Sequence, residues 1–439
     1  MIKPRAGLYA VYEPPEEGWQ DYPSQLNQIA AELEMGGLEA CTAPEPVKDA
    51  LSCEKVAVWL AAQSLDLLYA LIASWSFDHY TVRIQQATRL PVAIRSIPGI
   101  RSGSIVGGQQ LQSVLYDLGV EHRWFYGAPA SPETARQIAV YARACALQKR
   151  LFGAKIAVIG RRTEGMTPTS VDEMEILRLF GARLLNYGLD EFQSLVEQVD
   201  TAEAEAEWKR ITAEAKAVTS RDEHGVASAR SLLALRRMVK ELGLQAVSIG
   251  SYPQCQGTMC LPIALLNEEG VPAGCEGDVN STLAIYVLSQ LSDAPVHFGE
   301  MLALDFEHNS IVTSHCGCGS PSLADESGFQ LCPVRLANDG VCVRYTARPG
   351  PVTFVNLTGR KGNYRMCAFE GQATPTGMVF EGTPLKLVTR TPLDKIWSAV
   401  TAGGFGHHWM TAYTHAAAEL SEFCRLVDVR GSFPDLDKP

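Results

Sequence analysis

The sequence predicts an α/β protein in which two α/β domains precede a β-rich C-terminal domain. Strand-like and helical segments alternate up to residue 295, which is typical of parallel sheets covered by helices. After residue 295 the segments become short and rich in β-branched residues. The 439 residues also exceed what one ordinary core accommodates, so we expect domains at 1–153, 154–296 and 297–439.

The first predicted domain alternates between strands and helices. We expect strands at Ala6–Val11, Lys55–Leu60 and Leu90–Ile94, and helices at Tyr22–Met35 and Gly107–Leu118. Aromatic and β-branched residues favour the strand interpretation of Lys55–Leu60. This alternation indicates a mostly parallel sheet with helices on both faces.

The second predicted domain repeats the alternation. Its predicted strands are Lys155–Ile159, Arg183–Tyr187, Leu244–Ile249 and Val271–Cys275. Its predicted helices are Val171–Gly181, Thr201–Val218, Ala227–Leu242, Thr258–Leu266 and one that starts at Asp278. In the last helix, apolar residues recur every four positions from Val279 to Leu291, which places them on one buried face.

The C-terminal domain is predicted to form an antiparallel sheet or a small barrel. Its predicted strands are Glu300–Asp305, Ser310–Ser314, Val341–Thr346, Val352–Leu357 and Leu385–Thr389. Gly, Pro and Asn residues separate these strands, as expected for turns between antiparallel strands. A final helix is predicted at Ala412–Leu426.

The overall composition favours an enzyme that acts on small molecules. Hydrophobic residues make up 46% of the chain and charged residues 20%, which is typical of a folded globular protein. The formal net charge of −11 argues against a nucleic-acid partner, since phosphate binding requires clustered Lys and Arg.

We expect a cytoplasmic protein that neither crosses a membrane nor contains disulfides. The N-terminal residues lack the apolar core of a secretory signal. The most apolar region, Val56–Trp75, is interrupted by polar residues, and the spacing of its Leu and Ala residues predicts a buried helix. The twelve cysteines are expected to be free thiols, because they are spread across a large chain that shows no export signal. The close pairs Cys255/Cys260 and Cys316/Cys318 do not match the paired CxxC spacing of a structural zinc site.

The segment Gly274–Asp278 is the first candidate site. It lies between a predicted strand and a predicted helix, and open α/β sheets bind ligands at that edge. Asp278 can cap the helix through its carboxylate, whereas Glu276 beside an apolar strand end requires a partner. Two carboxylates so close together could also hold Mg²⁺ or Mn²⁺ through oxygen. Both interpretations of Asp278 remain open.

Histidines mark two further segments. His315 follows a predicted strand and precedes glycines, so it is either a buried, hydrogen-bonded residue of a tight turn or a ligand contact. His407 and His408 lie in a glycine-rich loop before a predicted helix, and neutral imidazole suits Mn²⁺, Fe²⁺ or Zn²⁺. Adjacent residues do not share a helix face, so we expect the two rings to have different roles if the pair is not accidental.

Two arginines follow the predicted strand Lys155–Ile159. Arg161 and Arg162 could bind a polar or anionic substrate group, or they could simply be solvated. Their segment is neither a GxGxxG motif nor a P-loop, so nucleotide binding has little support.

Five segments together resemble the L-fucose isomerase and L-arabinose isomerase group of sugar isomerases. In chain order they are SGSIVGGQQL at 102–111, IGRRTEGM at 159–166, CEGDVNSTL at 275–283, SHCGCGSPSLA at 314–324 and GFGHHW at 404–409. The matches extend over nearly the whole chain and indicate a divergent member of the group.

The resemblance implies two Rossmann-like domains, a C-terminal β-barrel domain and a homo-oligomer, usually a hexamer. It also implies a Mn²⁺-dependent aldose–ketose isomerase that acts on a sugar through an enediol. On this pattern Asp278 is a metal ligand and a candidate proton carrier, with Glu276 beside it. His408, ahead of His407, supplies the imidazole ligand, and His315 lies near the substrate.

The sequence departs from the family pattern at one position. Fucose isomerases carry a further metal-binding Glu on the helix before the CEGD-type strand, but residues 257–263 contain no carboxylate. One hypothesis is therefore an isomerase of a modified sugar, acidic or sulfonated, whose anion is bound by Arg161 or Arg162. Another is a sugar-binding or regulatory protein that kept the fold and lost turnover. A periplasmic-type sugar receptor is a third, disfavoured by the β-rich third domain.

Overall fold

The computed structural model describes residues 1–335, 337–360 and 362–436. The chain divides into two compact units, one formed by residues 2–150 and the other by Met1 with the chain from residue 151 onward. Among the described residues, no helix combines the length and the apolar character needed to cross a membrane. The division into three domains stays a prediction.

The unit of residues 2–150 contains a five-stranded parallel sheet. Its strands are β1 (Arg5–Val11), β2 (Glu39–Thr42), β3 (Leu67–Ile72), β4 (Val92–Ser96) and β5 (His122–Tyr126). Its helices are α1 (Tyr22–Met35), α2 (Ala50–Ala61), α3 (Asp78–Thr88), α4 (Ser104–Asp117) and α5 (Pro132–Leu151). The strand order is β2–β1–β3–β4–β5, and every pairing is parallel.

The predicted strand at Lys55–Leu60 is wrong, because this segment lies within α2. The side chain of Asp49 accepts a hydrogen bond from the Ser52 backbone N–H at 2.7 Å, and the Ser52 hydroxyl accepts one from the Asp49 N–H at 3.1 Å. This reciprocal cap stabilises the first turn of a helix. The single helix predicted across Val56–Trp75 is also wrong, because α2 ends at Ala61 and β3 follows.

The second unit begins with the strands β6 (Lys155–Ile159), β7 (Arg183–Tyr187), β8 (Ala217–Val218), β9 (Ala246–Ile249) and β10 (Ala273–Gly274). All of these except the short β8 form a four-stranded parallel sheet in the order β10–β9–β6–β7. The helices are α6 (Glu173–Phe180), α7 (Leu189–Glu197), α8 (Thr201–Thr212), α9 (Asp222–Leu242), α10 (Gln256–Glu268) and α11 (Val279–Leu291). Helix α11 is buried on all its faces along residues 279–288, not only on the predicted one.

Six antiparallel strands of the second unit form a closed barrel. The C-terminal strands are β11 (His297–Asp305), β12 (Ser310–Ser314), β13 (Gln330–Val334), β14 (Asp339–Arg344), β15 (Gly350–Thr358), β16 (Arg365–Thr374), β17 (Leu385–Thr389), β18 (His408–Ala412) and β19 (Arg430–Ser432). The order β15–β18–β11–β12–β17–β16 closes through pairing of β16 with β15. Strands β14, β13 and β8 form a separate small sheet. The predicted fold class, parallel α/β sheets followed by a β-rich barrel, is confirmed.

The start of the last predicted helix is wrong. Helix α12 (Leu393–Gly403) precedes β18, and the final helix, α13, covers only Ala417–Leu426. Residues 408–412 are instead a fully buried strand, paired with β11 on one side and with β15 on the other. His408 is therefore the first residue of a barrel strand rather than part of a loop before a helix.

Candidate active site

Three chain segments from the second unit meet at the candidate site. The turn between β10 and α11 contributes Glu276 and Asp278, the residue after β12 is His315, and the first residue of β18 is His408. All four side chains are buried. The parallel-sheet edge and one end of the barrel therefore supply the site together.

The turn that carries Glu276 has an unusual backbone. Glu276 has φ +62° and Gly277 has φ +67°, a region that side-chain-bearing residues seldom adopt. A Cβ at Gly277 would lie 2.7 Å from the Cα of Arg162, so the turn packs directly on the loop after β6. The Thr163 N–H also donates to the Glu276 carbonyl at 3.2 Å. These contacts fix the direction of the Glu276 side chain, and such local strain concentrates at functional sites.

Asp278 both caps α11 and binds His408. Its Oδ1 accepts the Ser281 backbone N–H at 3.1 Å, and its Oδ2 accepts the Ser281 hydroxyl at 2.6 Å. The same Oδ2 lies 2.8 Å from Nδ1 of His408. The Asp278 carboxylate can therefore cap the helix and contact His408 at the same time, so its capping role does not exclude a role in the candidate site.

The opposite edge of the His408 ring faces Glu276. Nε2 of His408 and Oε2 of Glu276 are 3.0 Å apart, yet among the described residues neither atom has a hydrogen bond of acceptable geometry. Burial lowers the pKa of His408, but the two carboxylates outweigh it and raise that pKa to about 9. Burial raises the pKa of Glu276, but His408 and His315 outweigh it and bring that pKa below its ordinary value.

His407 completes a set of three groups that could hold a metal. Glu276, His407 and His408 each offer one ligand atom, and these atoms lie within 4.8 Å of one another. The two imidazole centroids are 4.0 Å apart, and burial lowers the pKa of His407. One carboxylate and two imidazoles suit Mn²⁺, Fe²⁺ or Zn²⁺, which would bind His408 in place of its second ring proton. The residues present therefore fit a divalent cation.

The raised pKa of His408 predicts a pH-dependent stability for the metal-free protein. A raised folded-state pKa contributes stability that is complete below the ordinary value of 6.5 and is lost as the pH rises through about 9. The loss should be on the order of 3 kcal/mol. Denaturant unfolding in chelator at pH 6 and pH 10 measures it, with His408→Gln as the control. The same pH dependence in both proteins would contradict the assignment.

His315 faces Glu276 from another side. Its Nε2 is 3.9 Å from Oε1 of Glu276, and its Nδ1 lies 3.4 Å from the Cys316 Sγ and 3.3 Å from the Cys318 Sγ. The Phe298 ring packs against both His315 and His408, with centroid distances of 4.8 Å in each case. His315 thus lies beside Glu276 and packs with His408 against the same Phe298 ring.

Strand β15 holds the histidine segment in place, a role not foreseen from the sequence. The Asn356 amide donates to the carbonyls of Gly406 at 3.0 Å and His408 at 2.7 Å. The Thr358 hydroxyl donates to the Asn356 Oδ1 at 2.6 Å and accepts the Gly406 N–H at 3.1 Å. A polar pair two residues apart in a buried strand was the signal that could have identified these residues.

The two predicted substrate-binding arginines lie at the rim of the turn. Arg161 is exposed, and Arg162 is half-buried and donates to the Thr163 carbonyl at 3.1 Å. Among the described residues, neither guanidinium forms an ion pair with Glu276 or Asp278. Their role in substrate binding stays a prediction.

A cavity of about 280 Å³ adjoins residues 404–406, immediately before the histidine pair. Arg360 and Arg365 both line it. The Arg365 guanidinium donates to the carbonyls of Asn363, Gly403 and Gly404, so it supports the loop. The Arg360 side chain is exposed, and within the described part of the chain it forms no ion pair. Of the two arginines, Arg360 is therefore the one whose guanidinium is available to bind an anion.

Neither Glu268 nor Glu269 replaces the missing carboxylate of α10. Glu268, at the end of α10, accepts hydrogen bonds from the backbone and hydroxyl of Ser322, and Glu269 pairs with Arg236. In the buried part of α10, Cys260 packs instead against Cys316, Cys332 and Cys342. This face of the site is therefore lined by thiols.

Comparison with known proteins agrees with the resemblance. The chain is 25% identical over 339 residues to sulfoquinovose isomerase of Alkalicoccus urumqiensis, covering 75% of this chain and 76% of that protein. Sulfoquinovose isomerase of Priestia megaterium is 21% identical over 418 residues, covering 92% and 93% respectively. L-Arabinose isomerase of a Nocardioides species is 23% identical over 354 residues, covering 75% and 70%.

These relatives, all at low identity, support the interpretation of the chain as a divergent member of this sugar isomerase family. The resemblance inferred from the five sequence segments is confirmed. No family model matches the chain. A solved periplasmic solute-binding protein of Actinobacillus succinogenes with bound D-allose aligns at 11% identity over 66% of this chain and 92% of that one. The TM-score of this alignment is 0.17, too low to indicate a shared fold.

Proposed function

We propose that this sugar isomerase family member interconverts an aldose and a ketose through an enediol, and that its substrate carries an anionic group such as a sulfonate. The buried arrangement in which His408 lies between Glu276 and Asp278 carries the proposal. The relatives named sulfoquinovose isomerase and L-arabinose isomerase support this reaction class. Mn²⁺, a hexameric assembly and a cytoplasmic location remain predictions based on the resemblance and the sequence.

The His408 tautomer explains how the site would hold a metal. Because Asp278 accepts the proton on Nδ1, a neutral His408 presents the Nε2 lone pair toward Glu276. We therefore propose Glu276 and His408 as metal ligands, with His407 within reach and Asp278 either orienting His408 or joining the ligand set. When bound, Mn²⁺ would polarise the substrate carbonyl and stabilise negative charge on its oxygens.

Glu276 is the proposed proton carrier of the reaction. Its carboxylate is buried and its pKa lies below the ordinary value, so it is ionised and can accept a proton at neutral pH. It removes the C2 proton of the aldose. The electrons of that C–H bond form the C1–C2 double bond, and the π electrons of the C1 carbonyl move to O1, which takes up a proton to complete the enediol. Return of the first proton to C1, with loss of the proton on O2, gives the ketose. Asp278 is less suited, because both its oxygens already accept hydrogen bonds.

His315 and the arginines are proposed to bind the substrate. The Nε2 of His315 faces the same carboxylate as His408 and lies where a sugar hydroxyl would approach Glu276. Arg360, together with Arg161 or Arg162 at the rim, would bind an anionic substituent through charge-assisted hydrogen bonds. Separation of products after incubation with Mn²⁺ and either sulfonated or uncharged aldoses tests this proposal. Ketose formed faster from the sulfonated sugar supports it, and sugar binding without product favours the binding-protein hypothesis.

Asp278→Asn is expected to lower turnover about 100-fold while keeping the cap of α11. Asparagine caps helices as well as aspartate does, so the loss of stability should come from the lost charge beside His408 rather than from the cap. The amide that replaces Oδ2 would donate to Nδ1 of His408 and move the ring proton to Nε2, which blocks metal binding. Turnover, metal content and thermal unfolding are measured together.

Asp172→Asn provides the matched control for this change. Asp172 caps α6 through the N–H groups of Met174 and Glu175 and has no part in the proposed site. It should leave both stability and turnover near those of the unmodified protein. Normal turnover in Asp278→Asn would remove Asp278 from the mechanism.

A further inference from the structure

A cluster of thiols surrounds the side of His315 that faces away from Glu276. Cys275 precedes Glu276 in the turn before α11, and Cys318 lies three residues after His315. Both are 2% exposed, and His315 is 3% exposed. Ligands for a soft metal thus come from two segments 40 residues apart, which explains why the spacing of cysteines along the chain gave no zinc motif.

The spacing of the ligand atoms in this cluster is compatible with a tetrahedral thiolate site. One atom each from Cys275, His315 and Cys318 lie within 4.8 Å of one another. The His315 Nδ1 is 3.3 Å from the Cys318 Sγ. Zinc bonded to sulfur at about 2.3 Å and to nitrogen at about 2.1 Å holds these two atoms about 3.5 Å apart. A metal therefore fits with only small movements of the three side chains.

The two ring nitrogens of His315 face different kinds of atom. Nε2 is directed toward the Glu276 carboxylate, whereas Nδ1 lies beside sulfur atoms. Oxygen and imidazole ligands suit Mn²⁺, but thiolates select softer cations such as Zn²⁺. Glu276, His407 and His408 form the other candidate group, and the two groups share no residue.

We propose that Cys275, Cys318 and Nδ1 of His315 form a second metal site, specific for a thiophilic cation such as Zn²⁺ and distinct from the proposed catalytic metal site. A set of two thiolates and one imidazole is a known open zinc arrangement. With the metal on Nδ1, the remaining ring proton resides on Nε2 and is directed at Glu276. The site thereby fixes the orientation of His315 toward the catalytic carboxylate.

Cobalt provides the probe for this site. Co²⁺ bound by thiolates shows an intense sulfur-to-metal charge-transfer band in the near ultraviolet, and Co²⁺ bound only by oxygen and nitrogen does not. The metal-free, full-length protein is reduced with a non-thiol reductant and titrated with Co²⁺. We expect the band to appear and to disappear when Zn²⁺ is added. A folded, unmodified protein that shows no band overturns the proposal.

Substitutions of single residues show which side chains give rise to the sulfur-to-cobalt charge-transfer band. Cys275→Ala and Cys318→Ala should each lose it, whereas Cys424→Ala should keep it, because Cys424 is equally buried but contacts Met366 instead. Glu276→Gln should also keep the band, which separates this site from the proposed catalytic one. Circular dichroism identifies a variant that fails to fold, in which case the other cysteine variant decides. A band that survives in a folded Cys275→Ala or Cys318→Ala protein overturns the assignment.

Discussion

Glu276→Gln is expected to lower kcat about 10³-fold, within the range attributed to a positioned acid–base group. Glutamine has the same shape but can neither take up a proton nor present a charged oxygen to Nε2 of His408. Loss of the buried negative charge should also return the pKa of His408 toward its ordinary value. Steady-state kinetics with a sugar that the unmodified protein converts measures kcat. NMR titration of metal-free protein measures the pKa of His408.

Glu370→Gln is the matched control for Glu276→Gln. Both carboxylates are 7% exposed, but Glu370 pairs with Arg390 at 3.1 Å and His415 at 3.3 Å within the barrel. Its replacement should reduce stability without a comparable loss of kcat. Equal losses of kcat in the two variants would show that Glu276 acts through stability rather than chemistry.

His408→Ala is expected to weaken metal binding at least 100-fold and to abolish turnover. The ring joins Glu276 and Asp278, so its removal eliminates a ligand and leaves two buried carboxylates without their shared partner. His407→Ala should have a smaller effect, because His407 is partly exposed and, in the described part of the chain, the carboxylates at hydrogen-bond distance face His408 instead. Metal content after dialysis against limiting Mn²⁺ ranks the two variants.

The opposite ranking of the histidine variants would exchange their assigned roles. Unchanged metal content in both would show that residues 407–408 are not a metal site. Thermal unfolding in the presence of chelator is the control, because a variant that has lost only the metal should unfold like the metal-free protein.

The sequence predicted elements where local and tertiary preferences agree. Strand β6 and the start of α11 were predicted correctly, because an apolar run and an Asp cap carry their own signals. Lys55–Leu60 has strand-like composition, but the Asp49–Ser52 cap favours a helix. Residues 408–412 form a strand only because β11 and β15 pair with both of its edges, and those partners lie far away in the chain.

The sequence indicated individual residues of the candidate site but not how they are arranged in space. Glu276, Asp278 and His408 stood out as polar residues at element ends, yet Asp278 and His408 are 130 positions apart. Nothing local indicates that Asp278 binds one edge of the imidazole while Glu276 faces the other. Asn356 and the thiols around His315 were missed for the same reason, since their partners come from distant strands and turns.

The proposed reaction requires the buried Glu276 carboxylate to move a proton between adjacent sugar carbons. Incubation with Mn²⁺ and a sulfonated aldose in D₂O, followed by separation of the sugar and proton NMR, tests it directly. We predict that deuterium enters C2 of the aldose or C1 of a new ketose, and that Glu276→Gln prevents this incorporation. A sugar that binds and is recovered without deuterium and without ketose would contradict the account and identify the chain as a binding protein.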